Sequence, residues 1–429
     1  MHEREFYSVV ESRGDWAFSH LSRAETKEVT HSYHQYPAKF IPQLARTLIE
    51  NYTDEGDLIW DSYCGSGTLN VEAFRTNRRS IGTDINPTAV LISRVKTTPL
   101  EPATLSAYKG ELLEDINANP IQSEAFYISK GALNGNVDML RKWFSNDSLL
   151  ELGHILWHIR ENKSKRKYRE FALCAFSSIL KKSSYWLTSS VKSQIDPEKK
   201  PEKPLVYFER QLRTMEKANN DFYLENRNNR TQVQISKHNA KHRLPSRTQQ
   251  IDYIITSPPY LVSYDYSDIF KLSTYSLFPK SDYGQFRKDF IGTPLKRSKL
   301  RHAKVLASYQ PIVNSINDAG LRRTVTQYYR DMSMYFKNAH CNLKENGRLI
   351  MVVGDTELRG VEIPNACLLA DIANRIGWSL EVAYTRKIPI KILPTIRDMT
   401  TGRFTNKAND NCSERYDVEY VLVFRRRNR

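Results

Sequence analysis

Helical and strand patterns alternate between residues 40 and 100. The apolar positions from Ile41 to Tyr52 follow helical spacing, and Leu58-Ile59-Trp60 is typical of a short buried strand. Leu69 to Phe74 begins a second helix, and Ser80 to Thr83 leads into a second strand. This βαβ alternation predicts a parallel sheet.

The alternation stops between about residues 100 and 250. Helical patterns run from Leu140 to Arg160, from Tyr168 to Lys182 and from Val206 to Asn219. Polar connectors rich in lysine and proline, such as residues 196–204, join them. We therefore expect a mostly helical insertion.

Strand patterns return at Ile251. The elements expected from there on are a strand at Ile251 to Ile255, a helix at Tyr328 to Leu343, a strand at Arg348 to Gly354, a helix at Ala366 to Ile376 that stops at Gly377, a strand near Leu380 to Tyr384, and a strand at Val418 to Phe424. Two distant halves thus complete one α/β sheet. The predicted division is residues 1–100 and 251–429 as the two parts of one domain, with 101–250 inserted.

Composition narrows the choice of partners. The 429 residues include 64 Lys+Arg against 48 Asp+Glu, a net charge of +16, which favours a polyanionic partner. Nucleic acid is the first candidate and an anionic membrane the second. No run approaches the roughly 20 apolar residues of a spanning helix, and the first residues lack an apolar signal core, so we expect no membrane partner and a cytoplasmic protein. The five cysteines are dispersed, without metal-type pairing.

A glycine-containing turn lies between the first predicted strand and the following helix. It reads Asp61-Ser62-Tyr63-Cys64-Gly65-Ser66-Gly67-Thr68. Glycines at such a turn let backbone N–H groups approach a ligand, and Tyr63 can cover one ligand face. Asp84 ends the next strand, close to the roughly 20-residue offset at which an acid accepts hydrogen bonds from ribose hydroxyls. No lysine follows Gly67 and a third glycine is missing, so a nucleoside without a pyrophosphate fits better than ATP or a dinucleotide.

A second chemical motif follows the strand that begins at Ile251. Ser257-Pro258-Pro259-Tyr260 places a small acceptor, two stiff prolines and an aromatic ring at the carboxyl edge of the sheet, where open α/β folds bind ligands. Two prolines after a strand are also a plain strand terminator. The glycine turn and Asp84 favour the chemical interpretation, a pocket for a flat base that bears an amino group.

Together these motifs resemble the amino-group DNA methyltransferases that use S-adenosylmethionine, in particular the cytosine-N4 type with a Ser-Pro-Pro-Tyr tetrad. Residues 31–40 are similar to the motif that precedes the cofactor turn, 61–68 to the turn itself, and 352–355, 360–364 and 377–378 to the carboxyl half of that family. Ser62 and Tyr63 stand where the family commonly has Pro and Phe, and Gln35 replaces an expected proline. The resemblance does not extend to residues 100–250.

The resemblance implies a fold, a cofactor and a set of site residues. The fold is a Rossmann-like class I methyltransferase sheet with helices on both faces, and the inserted segment is the candidate target-recognition region. The catalytic residues are Ser257, Pro258, Pro259 and Tyr260. The S-adenosylmethionine-binding residues are Pro37, Lys39, Phe40, Asp61, Tyr63, Gly65, Gly67, Thr68, Asp84 and Asn86.

Other clusters carry weaker hypotheses. The basic residues Arg287, Lys288, Lys296, Arg297, Lys299 and Arg301 could contact DNA phosphates or form a solvated loop. A second basic cluster, Lys163, Lys165, Arg166, Lys167 and Arg169, lies in the inserted segment. Neither His31 and His34 nor His154 and His158 have a matching set of acids, so we expect no metal.

The sequence thus predicts a DNA cytosine-N4 methyltransferase. Its partners would be double-stranded DNA and, in a restriction–modification system, a cognate restriction endonuclease. The alternatives are an adenine-N6 DNA methyltransferase, an RNA guanosine-N2 methyltransferase, and a DNA-binding subunit without catalytic activity.

Overall fold

An eight-stranded, mostly parallel sheet forms the centre of the fold. The computed structural model describes residues 3–22, 24–37, 39–133, 136–245, 250–261, 266–278, 280–293, 303–388, 396–398, 412–414 and 418–427. The strands are β1 (Glu11–Ser12), β2 (Leu58–Asp61), β3 (Arg79–Asp84), β4 (Val233–Lys237), β5 (Ile251–Thr256), β6 (Leu343–Val353), β7 (Thr356–Leu358), β8 (Val361–Ile363), β9 (Trp378–Lys387), β10 (Ile396–Asp398), β11 (Cys412–Glu414) and β12 (Val418–Arg426).

The strand order of the central sheet is β1-β9-β12-β6-β5-β2-β3-β4. Strand β12 runs antiparallel to its neighbours β6 and β9, and the other neighbouring pairs of this sheet are parallel. Strands β7 and β8, and likewise β10 and β11, form small antiparallel pairs.

Helices connect most of the strands. They are α1 (Glu3–Ser8), α2 (Pro42–Tyr52), α3 (Thr68–Arg75), α4 (Pro87–Lys96), α5 (Pro102–Ala118), α6 (Glu124–Ser129), α7 (Val137–Leu140), α8 (Asn146–Glu161), α9 (Arg166–Ser183), α10 (Pro204–Asn226), α11 (Tyr266–Ile269), α12 (Lys271–Leu277), α13 (Lys280–Asp289), α14 (Ala303–Ser315), α15 (Ala319–Asn342) and α16 (Asn365–Ile376). Short 3-10 helices span Gly14–Ala17, Glu25–Lys27 and Val29–Ser32. No described helix has the length and apolar character to span a membrane.

Successive residues of β6 pack on opposite faces of the sheet, as the alternation of side chains along a strand requires. Ile350 and Val352 join a buried cluster with α2 and α3, whereas Met351 and Val353 join another with α15 and α16. All four side chains are fully buried. The predicted α/β fold, a Rossmann-like sheet with helices on both faces, is confirmed.

The predicted elements of the two flanking segments all form, although α15 begins nine residues before the expected Tyr328 and β6 five residues before the expected Arg348. Helix α2 begins at Pro42, one residue later than the apolar spacing indicates, because proline fits the first turn of a helix. Helix α16 ends at Gly377, whose φ of 121° is a conformation that side-chain-bearing residues rarely adopt.

The inserted segment differs from its prediction in several places, and its helices α5 and α6 were not predicted. The helix expected from Leu140 to Arg160 is broken between α7 and α8, where the Ser145 hydroxyl caps α8 by accepting from the Ser148 N–H at 3.2 Å. Strand β4 was not predicted, and it extends the central sheet by pairing with β3. None of its residues is fully buried, so this edge strand lacks the apolar run that marks the central strands.

The helices of the inserted segment share a core with the sheet domain. Side chains of α5, α8, α9 and α10 pack in one cluster that also contains Ile92 of α4 and Leu272 of α12. The insertion is therefore fastened to helices that flank the predicted site. Its extent as a separate domain stays a prediction.

The topology also marks the edge of the sheet at which a ligand would bind. Strand β2 lies between β3 and β5, and the chain moves in opposite directions along the sheet from β2 to β3 and from β5 to β6. Ligands of open α/β sheets bind outside the carboxyl ends of the strands at such a reversal. Asp61, Asp84 and Thr256 end these three strands.

Candidate active site

The turn between β2 and α3 forms one wall of the site. Gly65 and Gly67 have φ values of 48° and 72°, in the left-handed region. A Cβ on Gly67 would lie 2.8 Å from the Cβ of Ser93, so α4 leaves no space for a side chain there. Helix α4 also holds the turn, because Ser93 donates to the Gly65 carbonyl at 2.7 Å and Lys96 donates to the Ser66 carbonyl at 2.8 Å. Protein contacts therefore fix the shape of this turn.

Two carboxyl groups stand at the ends of β2 and β3, the buried Asp61 and the half-buried Asp84. The Thr256 hydroxyl donates to Asp61 at 2.7 Å, and the backbone N–H groups of Gly65 and Asn86 donate to Asp84 at 3.0 and 2.8 Å. Burial raises the pKa of Asp61 to about 7 and that of Asp84 to about 6. A carboxylate offers about four lone-pair positions, so both groups can also accept hydrogen bonds from a ligand.

A cleft of about 840 Å³, including its open mouth, lies over these strand ends. The predicted site residues that line it are Lys39, Phe40, Asp61, Tyr63, Gly65, Thr68, Asp84, Asn86, Ser257 and Pro259. Pro37, Gly67, Pro258 and Tyr260 are not part of this lining.

The segment before α2 contributes Lys39 to the cleft. Its ammonium group donates to the His31 carbonyl at 3.1 Å, and burial lowers the pKa of Lys39 to about 8. The buried His31 ring contacts Glu72 at 2.7 Å, and Arg46 donates to the same carboxylate at 2.7 Å. His31 therefore fastens this segment to α3 and does not face the cleft.

The Ser-Pro-Pro-Tyr tetrad begins directly after β5, as predicted. The Ser257 hydroxyl donates to the Val352 carbonyl of β6 at 3.0 Å. This bond occupies the hydroxyl proton and leaves the oxygen lone pairs as acceptors. Pro258 is buried, whereas Ser257 and Pro259 reach the cleft. The tetrad thus adjoins the cleft at the carboxyl edge of the sheet.

Tyr260 is held by β12 and β9. Its hydroxyl donates to Glu419 at 2.9 Å, and the other oxygen of Glu419 accepts from Arg386 at 2.7 Å. Arg386 is buried and also donates to the Trp16 carbonyl at 2.9 Å. A Cβ on Gly354 would approach the Tyr260 ring to 3.1 Å, so the small residue admits the ring here. Burial and the Glu419 carboxylate raise the pKa of Tyr260, so its hydroxyl stays protonated.

Several lining residues were not predicted. They are Tyr36, Ser62, Cys64, Ser66, Leu69, Ile85, His238, Asn239, Ala240, Tyr266, Phe286, Asp289, Phe290 and Ile291. Residues 238–240 directly follow β4. Because β4 was not predicted, the sequence did not indicate that these residues lie at the carboxyl edge of the sheet. Phe286 lies in the last turn of α13, and Phe290 directly follows that helix. Their four-residue spacing is visible in the sequence, but no neighbouring motif indicates that they line a cleft. Tyr266 stacks on Tyr36 at 6.0 Å between ring centroids.

The donors and acceptors of the cleft fit S-adenosylmethionine. Asp61 and Asp84 can accept from the ribose hydroxyls and the amino group, Lys39 can pair with the carboxylate, and the aromatic rings match a flat adenine. The Tyr63 ring also packs against α15, with its centroid 5.1 Å from that of Tyr335.

The remaining clusters are placed as follows. Arg287 and Lys288 are exposed at the end of α13, whereas Lys296, Arg297, Lys299 and Arg301 lie outside the described residues. Both ring nitrogens of His154 form 2.9 Å hydrogen bonds, to Tyr127 and to a backbone carbonyl. Among the described residues, no three His, Cys, Asp or Glu side chains form a group that could hold a metal.

The chain matches one protein-family model and several individual proteins. Residues 4–94 match the family model described as DNA methylase. Type II methyltransferase M.MvaI of Kocuria varians is 28% identical over 415 residues, covering 91% of this chain and 90% of that protein. Type II methyltransferase M.BsoBI of Geobacillus stearothermophilus is 23% identical over 452 residues, covering 90% and 86%.

Among solved structures, the rRNA methyltransferase AviRa of Streptomyces viridochromogenes is 10% identical with a TM-score of 0.33, over 94% of both chains. The family match confirms S-adenosylmethionine as the cofactor and supports methyl transfer to DNA. Through residues 4–94 the chain matches the DNA methylase family, and over most of its length it is similar to type II methyltransferases.

Proposed function

We propose that this protein transfers a methyl group from S-adenosylmethionine to the exocyclic N4 amine of cytosine in double-stranded DNA. The observation that carries the proposal is the Ser257 hydroxyl, which donates to the Val352 carbonyl and lies beside the cofactor cleft. Its oxygen can accept an N–H of an amino group. The same arrangement would suit adenine N6, and the Ser-Pro-Pro-Tyr resemblance favours cytosine.

The chemistry requires acceptors for both amine protons. The nitrogen lone pair of an exocyclic amine is delocalised into the base, so the amine is a poor nucleophile. Ser257 and the backbone carbonyl of Pro258 accept its two N–H groups and draw the nitrogen toward tetrahedral geometry. The cofactor supplies an electrophilic methyl group on a sulfonium, and holding the two reactants together accounts for much of the acceleration.

The remaining roles concern binding. Asp84 and Asp61 bind the cofactor through hydrogen-bond acceptance, and Lys39 neutralises its carboxylate. Pro259 fixes the turn between Ser257 and Tyr260. The target base has to leave the duplex at a cost of a few kcal/mol, which stacking on Tyr260 offsets.

The biological setting follows from the names of the relatives. Both long matches are to proteins named type II methyltransferases. We extend this setting to the present chain, with a cognate restriction endonuclease as its partner in a restriction–modification system.

The test is product analysis. Duplex DNA and RNA are each incubated with tritiated S-adenosylmethionine, and the methylated nucleosides are identified after digestion. N4-methylcytosine in the DNA digest is the expected product. N6-methyladenine would replace the cytosine assignment, label in RNA alone would reject the DNA substrate, and DNA binding without any transfer would support a subunit without catalytic activity.

A further inference from the structure

A short hairpin of the inserted segment lies beside the candidate active site. The Leu187 N–H donates to the Gln194 carbonyl at 2.8 Å, and Trp186 pairs with Ile195 as an antiparallel bridge. Residues 187–194 are called the 187–194 hairpin below. Its exposed polar side chains are Thr188, Ser189, Lys192 and Gln194.

The base of this hairpin is buried and well bonded. Trp186 is 1% exposed and lies 5.1 Å from Trp143 between ring centroids. Lys181 donates to the Ser190 carbonyl at 2.7 Å, and Lys199 donates to the Trp186 carbonyl at 2.9 Å. Two lysine side chains thus hydrogen-bond the backbone of the hairpin and its base. These bonds hold the base of the hairpin in place below its exposed tip.

The hairpin is also bonded to α11, a short helix whose first residue lines the cleft. The backbone N–H and the hydroxyl of Ser193 donate to the Asp268 carboxylate at 3.1 and 2.6 Å. Asp268 belongs to α11 and lies two residues after Tyr266, which lines the cleft. Lys271 pairs with Asp268 at 3.2 Å and lies 4.3 Å above the Trp143 ring. These contacts place the hairpin on the catalytic side of the fold.

The 187–194 hairpin follows the C-terminal end of helix α9, whereas the basic cluster at residues 163–169 lies at the N-terminal end of that helix. Helix α9 has 18 residues and is therefore about 27 Å long. Ser177, in its second half, contacts Ser273 of α12 at 2.8 Å. Glu170, in its first turns, pairs with Arg94 near the end of α4 at 2.6 Å. Helix α4 starts at the carboxyl edge of the sheet and runs away from it, so this cluster lies far from the tetrad.

We propose that the 187–194 hairpin enters a groove of the duplex and contacts base edges next to the target base. The inference rests on the proposed function. The exposed tip of this narrow hairpin is of a size that the DNA major groove admits, and Gln, Lys, Ser and Thr side chains match the donors and acceptors exposed there. Residues 181–203, which include the hairpin and its flanks, have six lysines against three acidic residues, and this positive net charge favours approach to DNA phosphates. The charged residues are Lys181, Lys182, Lys192, Lys199, Lys200, Lys203, Asp196, Glu198 and Glu202.

The test compares two sets of surface substitutions in the full chain. The hairpin variant combines Thr188→Ala, Ser189→Ala, Lys192→Ala and Gln194→Ala. The control combines Lys163→Ala, Lys165→Ala and Lys167→Ala, all exposed at the far end of the insertion. Both variants are assayed for S-adenosylmethionine binding and for methylation of unmodified genomic DNA, and the modified positions are mapped by sequencing.

The hairpin variant should bind the cofactor like the wild type. Its methylation at wild-type sites should fall about tenfold or more, or spread to related sequences, since lost base contacts relax discrimination. The control should keep the site pattern and a methylation rate within about twofold of the wild type. An unchanged rate and site pattern in the hairpin variant, or an equal loss in the control, would overturn the proposal. Absence of DNA methylation by the wild type would instead reject the proposed function on which it rests.

Discussion

The bond between Tyr260 and Glu419 predicts a specific pattern of mutant effects. Tyr260→Phe removes the hydroxyl and keeps the ring, while Glu419 keeps its bond to Arg386. Glu419→Gln keeps an acceptor for the buried Arg386, and it removes the negative charge of the carboxylate to which the Tyr260 hydroxyl donates. Tyr260→Ala removes the ring itself.

The magnitudes follow from the contacts. A hydrogen bond to a charged group contributes about 1.5–3 kcal/mol, so Tyr260→Phe should lower the free energy of unfolding by about that amount. Releasing one oriented side chain costs about 0.5–1.5 kcal/mol, which lowers kcat/KM about 2- to 13-fold if the bond orients the ring for the target base. Tyr260→Ala should lose about 1–3 kcal/mol of base stacking in addition.

The assay is a double-mutant cycle on DNA methylation. Since Tyr260→Phe removes and Glu419→Gln weakens the same hydrogen bond, the double variant should lose no more activity than Tyr260→Phe alone. Cofactor affinity, measured by calorimetry, should be unchanged in all variants. Additive losses in the cycle, or wild-type activity in Tyr260→Ala, would refute the idea that Glu419 positions a stacking ring.

Four further predictions concern the cofactor cleft and the acceptor. Ser257→Ala should lower methyl transfer by at least about 100-fold and leave cofactor affinity within about twofold, since an acceptor used in the transition state is lost; normal methylation by this variant would show that the assigned site is wrong. Asp84→Ala should weaken cofactor binding in calorimetry, and unchanged affinity would remove that assignment. Because burial raises the pKa of Asp61 to about 7 and of Asp84 to about 6, their carboxylate forms are lost as the pH falls, so affinity should decrease from pH 8 to pH 5; a flat profile would contradict their role as acceptors. Because their pKa values are raised in the folded state, the protonated forms of Asp61 and Asp84 stabilise the fold. This contribution to the free energy of unfolding is fully present below the unfolded pKa of 3.8, and it is lost as the pH rises through the folded pKa values of about 6 and 7. Gly67→Ala should lower the melting temperature more than Gly56→Ala, because both residues have positive φ but only Gly67 has Ser93 at 2.8 Å from the added Cβ; equal shifts would show that crowding by α4 plays no part.

Local patterns predicted most of the elements around the site. The apolar runs of β2, β5 and β6 are buried on both faces, and this is why periodicity found them. Strand β4 lies at the sheet edge, and its Val233 and Ile235 alternate with polar residues, so it lacks the continuous apolar run by which the central strands were found. The lining residues Asn239 and Ala240, which follow it, could not be located without it.

Contacts between distant segments could not be predicted from the sequence. Tyr260 and Glu419 are 159 positions apart, and no local pattern indicates that β12 lies beside the tetrad. The position of the 187–194 hairpin depends likewise on Asp268, 75 positions after Ser193. Motifs such as Gly65 to Gly67 were found because their chemistry is concentrated in a few neighbouring residues.

Mass spectrometry of the nucleosides from methylated DNA tests the central claim most directly. Unmodified genomic DNA is incubated with S-adenosylmethionine and either the wild-type chain or Ser257→Ala, then digested. We predict N4-methylcytosine with the wild type and at least about 100-fold less with the variant. N6-methyladenine as the product would contradict the cytosine assignment, and methylation that is equal in both samples would contradict the assigned site.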